Sequence, residues 1–217
     1  VTLTQSTIWT PSSAGTYTVA ISTSNPNGAA DENTANNNPL AQDITVLAKA
    51  VQRVPLYEIF TSSTCGPCTP GNANFHSVID GSRYAQCTYI KYQQNFPGAG
   101  DPYASSEAVG RRNYYAINSI PRMEIDGAWD GNAGSFNAGL HDIALANFSL
   151  VELDATFDKW GQSVVTTINV DAIKNLNNVS VYAAVLETYN DNNIKTNGET
   201  EFLHVFKRFM TPSSGES

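Results

Sequence analysis

The chain has 217 residues, which is enough for one large domain or for two to three small ones. Its 12 Lys and Arg against 20 Asp and Glu give a formal net charge of −8. This balance disfavours a nucleic-acid partner and docking on anionic lipid, because both need clustered cations. No apolar run approaches the ~18 residues that a membrane span requires.

The first 50 residues are predicted to be β-structure. Residues 16–23 alternate between apolar and polar positions, and a second strand is predicted at 41–47. The turn signal Asn25-Pro26-Asn27-Gly28 lies between them. Since two or three strands cannot form a stable sandwich alone, we interpret 1–50 as the last strands of an immunoglobulin-like β-domain that is incomplete in this sequence.

The polar segment between these strands has two interpretations. Asp31, Glu32, Asn33 and Asn36 offer the oxygen ligands that Ca²⁺ prefers. The segment lacks the spacing of any defined calcium loop, however, and a solvated hairpin turn is the favoured interpretation. The Asn-Pro-x-Gly turn resembles the last hairpin of adhesion-type sandwich modules of bacterial surface proteins.

The middle of the chain alternates between strands and helices. Strands are predicted at 54–60, 87–93 and 122–126, and helices at 70–79, 105–116 and 135–147. The order β-α-β-α-β-α predicts an α/β domain at 51–148, with a central mixed sheet flanked by helices. From residue 149 the alternation typical of strands returns, at 150–159, 163–170, 179–188 and 201–210. We therefore expect a third domain at 149–217, of the antiparallel β-sandwich type and also incomplete.

The motif with the clearest chemistry is Cys65-Gly66-Pro67-Cys68. Two cysteines at this spacing can form a redox dithiol, half of a zinc site or a structural bridge. Zinc needs four ligands, and neither Cys87 nor the three histidines have the required spacing, so we expect no metal. A redox pair lies where a buried strand ends and a helix begins, because the helix N-terminus stabilises the first cysteine as a thiolate. The predicted strand at 54–60 and the predicted helix at 70–79 supply that context.

The tetrapeptide is identical to the active-site tetrapeptide of thioredoxins. Residues 117–127, which contain Ile120-Pro121 and end in Ile125-Asp126-Gly127, resemble the thioredoxin segment in which a cis proline faces the disulfide. The resemblance covers roughly 51–148. It implies that Cys65 is the nucleophile, that Cys68 resolves the mixed disulfide, and that the two pair as a disulfide. It further implies that Pro121 belongs to the catalytic site, and that the substrate is bound by Ile120, Gly66 and Pro67.

Two departures from the thioredoxin pattern concern this site. Thr64 stands where thioredoxins carry Trp before the first cysteine. Ile59 stands where they bury an acid that moves the proton of the resolving thiol, and the acid of this chain, Glu58, lies one residue earlier. Because neighbouring strand residues point to opposite faces, Glu58 fills the catalytic role only if the following loop holds one extra residue. Otherwise it faces solvent or a loop.

The resemblance implies reductase-like thiol–disulfide exchange, without a cofactor, on protein or small-molecule disulfides and thiols. Strand-rich flanks and the pattern at 197–208 resemble the thioredoxin-like outer-membrane and secreted surface proteins of the Bacteroidota. This likeness, together with 15% charged residues, favours a bacterial protein that is secreted or on the cell surface, with export or surface-attachment machinery as a further partner. The alternative is a non-enzymatic surface or adhesion protein that uses the fold as a scaffold, with Cys65–Cys68 as a static disulfide.

Overall fold

The computed structural model describes residues 7–22, 28–37 and 40–216. Its contacts divide the chain into two compact units. We call the first the hairpin unit, which comprises Val1–Val51 and Leu150–Asn175 as far as these are described. We call the second the sheet unit, which comprises Gln52–Ser149 and Leu176–Ser217 with the same restriction.

Within the described residues the strands and helices follow the predicted order closely. The strands are β1 (Gly15–Ile21), β2 (Leu40–Val46), β3 (Val51–Gln52), β4 (Leu56–Thr61), β5 (Thr88–Gln93), β6 (Arg122–Ile125), β7 (Trp129–Gly131), β8 (Phe148–Ser149), β9 (Val151–Trp160), β10 (Ser163–Ala172), β11 (Ala184–Asn190) and β12 (Phe202–Phe209). The α-helices are α1 (Cys68–Ile79), α2 (Ser106–Tyr114) and α3 (Ala138–Leu145). Across these ranges, no helix has both the length and the apolar character needed to span a bilayer.

The hairpin unit contains two antiparallel strand pairs. In one, β1 pairs with β2, and in the other, β9 pairs with β10 across a turn at Gly161, whose φ of 61° favours glycine. The sequence places these strands in two separate terminal domains, whereas the structure groups them in one unit. Both pairs keep large apolar side chains exposed, for example Phe157 at 74% and Trp160 at 73%.

The sheet unit is built on a six-stranded mixed sheet in the order β11-β12-β5-β4-β6-β7. Strands β4, β5 and β12 are parallel, and the outer pairs are antiparallel. The layout differs here from the predicted third domain at 149–217, because β11 and β12 extend the central sheet of the sheet unit, whereas β9 and β10 pair with each other in the hairpin unit. The reason is burial: the β12 residues Phe202, Val205 and Phe206 are almost completely buried, as is typical of an inner strand.

Helices cover both faces of this sheet. On one face, α1 and α3 pack over a cluster that includes Tyr57, Ile59 and Phe75. On the other face, α2 packs over a cluster that includes Phe60 and Phe206. Alternation along β4 therefore sends Tyr57 and Ile59 to the α1 face and their neighbours to the α2 face. The whole of β4 beyond Leu56 is buried, which makes it the centre of the unit.

Candidate functional site

The cysteine motif lies where the sequence predicts it, between the end of β4 and the start of α1. The Cys65 amide donates to the Ser62 carbonyl at 3.0 Å, and the Cys68 amide donates to the Cys65 carbonyl at 3.1 Å. These two turns wind the chain into the helix, whose first residue is Cys68 and whose preceding residue is Pro67. Cys65 and Cys68 form a disulfide.

Both sulfurs are well covered in this oxidised state. Cys65 is 2% exposed and Cys68 is fully buried, whereas Gly66 and Pro67 between them are exposed. Cys65 lies just before the N-terminal turn of α1, where the helix dipole favours a negative charge. The geometry therefore suits a thiolate at Cys65 and shields Cys68.

The Ile120-Pro121 segment lies opposite the disulfide. The Sγ atom of Cys65 is 3.8 Å from the carbonyl oxygen of Ile120. The Ile120–Pro121 bond is cis, as predicted. Pro121 also packs against α1: a Cβ added at Gly71 would lie 3.1 Å from Pro121 Cγ and 3.3 Å from Pro121 Cβ. The glycine is what allows the helix to approach the proline this closely.

The structure does not bring Glu58 to the cysteines. Glu58 is buried, contrary to the expectation that it could face solvent, and it lies on the α2 face. Arg111 of α2 donates to both carboxylate oxygens, at 2.7 and 2.9 Å, and Tyr115 donates to Oε2 at 2.5 Å. Burial, followed by the nearby Glu58 carboxylate, raises the pKa of the Tyr115 phenol, so that it remains a donor. Glu58 is thus engaged by three hydrogen bonds beneath α2.

Three polar residues on the α1 face escaped the sequence analysis. Lys91 of β5 lies opposite Ile59 in the parallel ladder and is 3% exposed. Burial lowers the pKa of Lys91 to about 8, and Glu199 acts in the opposite direction. Asn72 of α1 donates to Thr61 Oγ1 at 3.0 Å and to Glu199 Oε1 at 2.7 Å. A lysine between Ile90 and Tyr92 in a predicted inner strand was the available signal, because buried lysines are rare without a partner.

His141, His204 and Cys87 make structural contacts. The Tyr57 hydroxyl lies 2.8 Å from His141 Nδ1, and the His204 ring stacks on Tyr89 with centroids 4.1 Å apart. Cys87 is partly buried and donates to the Arg83 carbonyl at 3.3 Å, and burial raises the pKa of its thiol. Among the residues that the structure describes, no group of three or more His, Cys, Asp or Glu is placed to hold a metal ion.

The segment considered for calcium forms a compact turn where it is described. Asp31 Oδ1 accepts from the Asn33 amide at 2.9 Å, and Asp31 Oδ2 accepts from Asn37 Nδ2 at 2.6 Å. The side chain of Asn36 and residues 25–27 of the turn signal lie outside the described residues. The described contacts are those of a hairpin turn closed by its own asparagines.

Comparison with known proteins identifies similar folds. No protein-family model matches the chain, and no curated protein matches it significantly. The solved structure of protein AGR_C_4864 from Agrobacterium tumefaciens is 18% identical with a TM-score of 0.54, and the match covers 75% of this chain and 72% of that one. HBP35 of Porphyromonas gingivalis, a member of the Bacteroidota, is 12% identical with a TM-score of 0.57. This match covers 76% of this chain and 59% of HBP35. Both likenesses are at the level of the fold.

Proposed function

We propose that the sheet unit is a thioredoxin-like domain that performs thiol–disulfide exchange in the reducing direction. The observation that carries the proposal is the Cys65–Cys68 disulfide at the start of α1, with the Ile120 carbonyl 3.8 Å from Cys65 Sγ. Burial of Cys68 and the helix N-terminus beside Cys65 support different roles for the two sulfurs. The mixed sheet between α1 and α2 agrees with this fold.

In the proposed reaction the reduced protein attacks a substrate disulfide. The Cys65 thiolate bonds to one substrate sulfur, the substrate S–S bond breaks, and the other substrate sulfur leaves as a thiolate. Cys68 then loses its proton and attacks the Cys65 sulfur, which releases the second substrate thiolate. The products are a reduced substrate and the oxidised Cys65–Cys68 pair. A thiol donor must reduce that pair before another cycle.

The substrate is proposed to approach across the exposed Gly66-Pro67 turn, because the sulfur of Cys65 is otherwise covered. An extended substrate segment can pair with the backbone at Ile120 by β-type hydrogen bonds. The partners are therefore protein disulfides, or small disulfides and thiols that fit the same edge. Pro121 supports this edge by packing on Gly71.

We further propose that the protein is bacterial and exported, and that it acts in secreted form or at the outer surface with the help of export or attachment machinery. The few charged residues and the fold-level likeness to HBP35 of Porphyromonas gingivalis support this proposal.

A second candidate function is that of a scaffold with a static disulfide. The nearly complete burial of both sulfurs favours it, as does Ile59 in place of a buried acid. The two functions differ in one property that can be measured, namely whether the Cys65–Cys68 bond exchanges with thiols.

Catalysis of insulin reduction by dithiothreitol separates the two functions. We expect the protein to accelerate the reaction and Cys65→Ser to abolish the acceleration, because the attacking sulfur is lost. Cys68→Ser should accumulate mixed disulfides with the substrate. Cys87→Ser is the matched control, since it removes a thiol outside the motif, and it should keep full activity. If the wild-type protein is no faster than Cys65→Ser, the scaffold function is correct.

A further inference from the structure

The connection between β11 and β12 contacts the active-site loop directly. The amides of Thr196 and Asn197 donate to the Ser63 carbonyl at 3.1 and 3.0 Å. Asn197 Nδ2 donates to the Ser62 carbonyl at 3.1 Å, and Thr69 in the first turn of α1 donates to the Asn197 carbonyl at 2.9 Å. This connection therefore binds the residues on both sides of the cysteine motif.

A buried carboxylate also binds the active-site loop, at the amide of the same residue, Ser63. Asp101 accepts from the Ser63 amide at 2.7 Å, and Asn193 donates to both oxygens of Asp101 at 2.9 and 3.0 Å. Asp101 and Asn193 are 6% and 0% exposed, so these bonds are shielded from water. Charge-assisted hydrogen bonds in such surroundings are among the stronger ones in a protein.

Glu199 extends this contact network to the resolving cysteine. Its carboxylate accepts from Asn72 Nδ2 at 2.7 Å and from Asn197 Nδ2 at 2.5 Å. Asn72 follows Cys68 by four residues in α1, so the two side chains lie one above the other on the same face of the helix. The side-chain amide of Asn72 therefore links the Glu199 carboxylate to the turn of α1 that begins at Cys68.

The charges facing this region come from four elements. Lys91 of β5 is buried, and Glu199 is the charge that acts on it. The α1 helix contributes His76, whose pKa is lowered to about 4 by burial first and then by Lys91, and β12 contributes His204. The β4 residues on this face, Tyr57, Ile59 and Thr61, carry no charge at neutral pH. The Lys91 ammonium and the Glu199 carboxylate therefore dominate the local field.

We propose that residues 193–199 form an integral part of the redox site and that Glu199 is a positioning residue for Cys68. Acting through Asn72 and against Lys91, Glu199 sets the pH at which the Cys68 thiol loses its proton. This inference rests on the proposed thiol–disulfide exchange. In the resolving step Cys68 gives up its proton, its sulfur bonds to Cys65, the bond between Cys65 and the substrate breaks, and the substrate sulfur leaves as a thiolate.

The pH dependence of the equilibrium between the Cys65–Cys68 disulfide and dithiothreitol tests this role. The upper inflection of the reduction potential with pH reports the Cys68 thiol. Glu199→Gln removes a negative charge that disfavours the thiolate, so we expect this inflection to move down by about one pH unit. Lys91→Met removes the positive charge that Lys91 carries mainly below about pH 8, so it should move the inflection in the opposite direction and by a smaller amount. Glu201→Gln is the matched control, because it makes the same charge change at an exposed position of the same connection.

Two results would overturn the inference. The first is an unmoved inflection in folded Glu199→Gln, and the second is an equal shift in Glu201→Gln. The opposite sign expected for Lys91→Met provides an independent test if Glu199→Gln does not fold, and a thermal melt of each variant establishes which ones do. A wild-type disulfide that does not equilibrate with dithiothreitol at all would overturn the proposed function and this inference together, whereas reversible exchange with no shift overturns the inference alone.

Discussion

Both faces of the central sheet hold a carboxylate and a cation, but in different arrangements. On the α2 face, Glu58 of β4 receives two hydrogen bonds from Arg111 of α2 and one from Tyr115, the residue directly after α2. On the α1 face, Glu199 of a distant loop receives its bonds from two asparagine amides, while Lys91 stays buried with a pKa lowered to about 8.

The difference separates a structural ion pair, Arg111 with Glu58, from a buried lysine that can titrate. The Glu58 carboxylate accepts a bidentate pair of bonds from Arg111 and a third bond from the Tyr115 phenol. These bonds stabilise the packing of α2 on the sheet. A buried ammonium whose pKa lies near 8 changes charge close to neutral pH, which is typical of functional sites. The cysteines lie on the same face as this lysine.

The largest effect is expected on the α2 face. Arg111→Met leaves Glu58 buried without its cation, and such unpaired charges cost about 3–5 kcal/mol. We expect the free energy of unfolding at pH 7, measured by urea denaturation, to fall by this amount. The exchange rate of the folded fraction should stay unchanged, because Arg111 lies on the face opposite the disulfide.

Arg112→Met is the matched control for Arg111→Met. Arg112 is the next residue of α2, and its hydrogen bonds go to the side chains of Asn95 and Asn113. Its loss should cost less than about 1 kcal/mol. Adding Glu58→Gln to Arg111→Met should recover part of the stability, since it removes the unpaired charge. Equal losses for the two arginine variants would contradict a structural pair at Glu58.

The second effect, of intermediate size, is expected on replacing Gly71 of α1, with Gly110 of α2 for comparison. In Gly71→Ala the new methyl group meets the Pro121 ring at 3.1 Å and must displace it. We expect insulin reduction to slow by about tenfold, because small displacements at a reacting centre are costly. The free energy of unfolding should change little, because the preference of a helix for alanine over glycine, ~1 kcal/mol, offsets part of the strain at Pro121.

Gly110→Ala in α2 is the control for this effect. A Cβ at Gly110 would contact nothing within 4 Å. Alanine should therefore stabilise the protein by up to about 1 kcal/mol and leave the exchange rate unchanged. If Gly71→Ala exchanges disulfides as fast as Gly110→Ala, the contact between α1 and Pro121 has no role in the site.

The smallest effect concerns acid stability on the α1 face. Burial lowers the pKa of His76 to about 4, against 6.5 for an unperturbed histidine. Between these values the unfolded chain binds a proton that the folded chain does not. This contribution to stability is therefore complete above pH 6.5 and is lost as the pH falls towards 4.

His76→Phe should make the decline in urea stability between pH 6.5 and pH 4 shallower. The aromatic ring is kept because His76 packs edge-on against Phe75 and Tyr89. A variant whose stability declines as steeply as that of the wild-type protein would show that other groups cause the acid dependence.

Much of this protein follows from short stretches of sequence. Alternation and turn residues predict most strands to within two or three residues, since these patterns depend on neighbours in the chain. The CGPC motif and the Ile120-Pro121 segment predict the disulfide and the cis proline through the resemblance to thioredoxins. The resemblance could not predict the place of Glu58, because the face that a strand residue occupies depends on the register of the whole strand.

Only the tertiary structure decides which strands and side chains become partners. Alternation predicts a strand at 201–210 but not that it joins β5 in parallel, because any sheet with a free edge satisfies its backbone. Asn72 and Glu199 are 127 residues apart in sequence and 2.7 Å apart in space. No local pattern relates them, since the burial of Lys91 and the path of the β11–β12 connection bring them together. The sequence by itself determines the cysteine motif and the helix that follows it, and the long-range packing of β12 and its loop determines the charges that surround the motif.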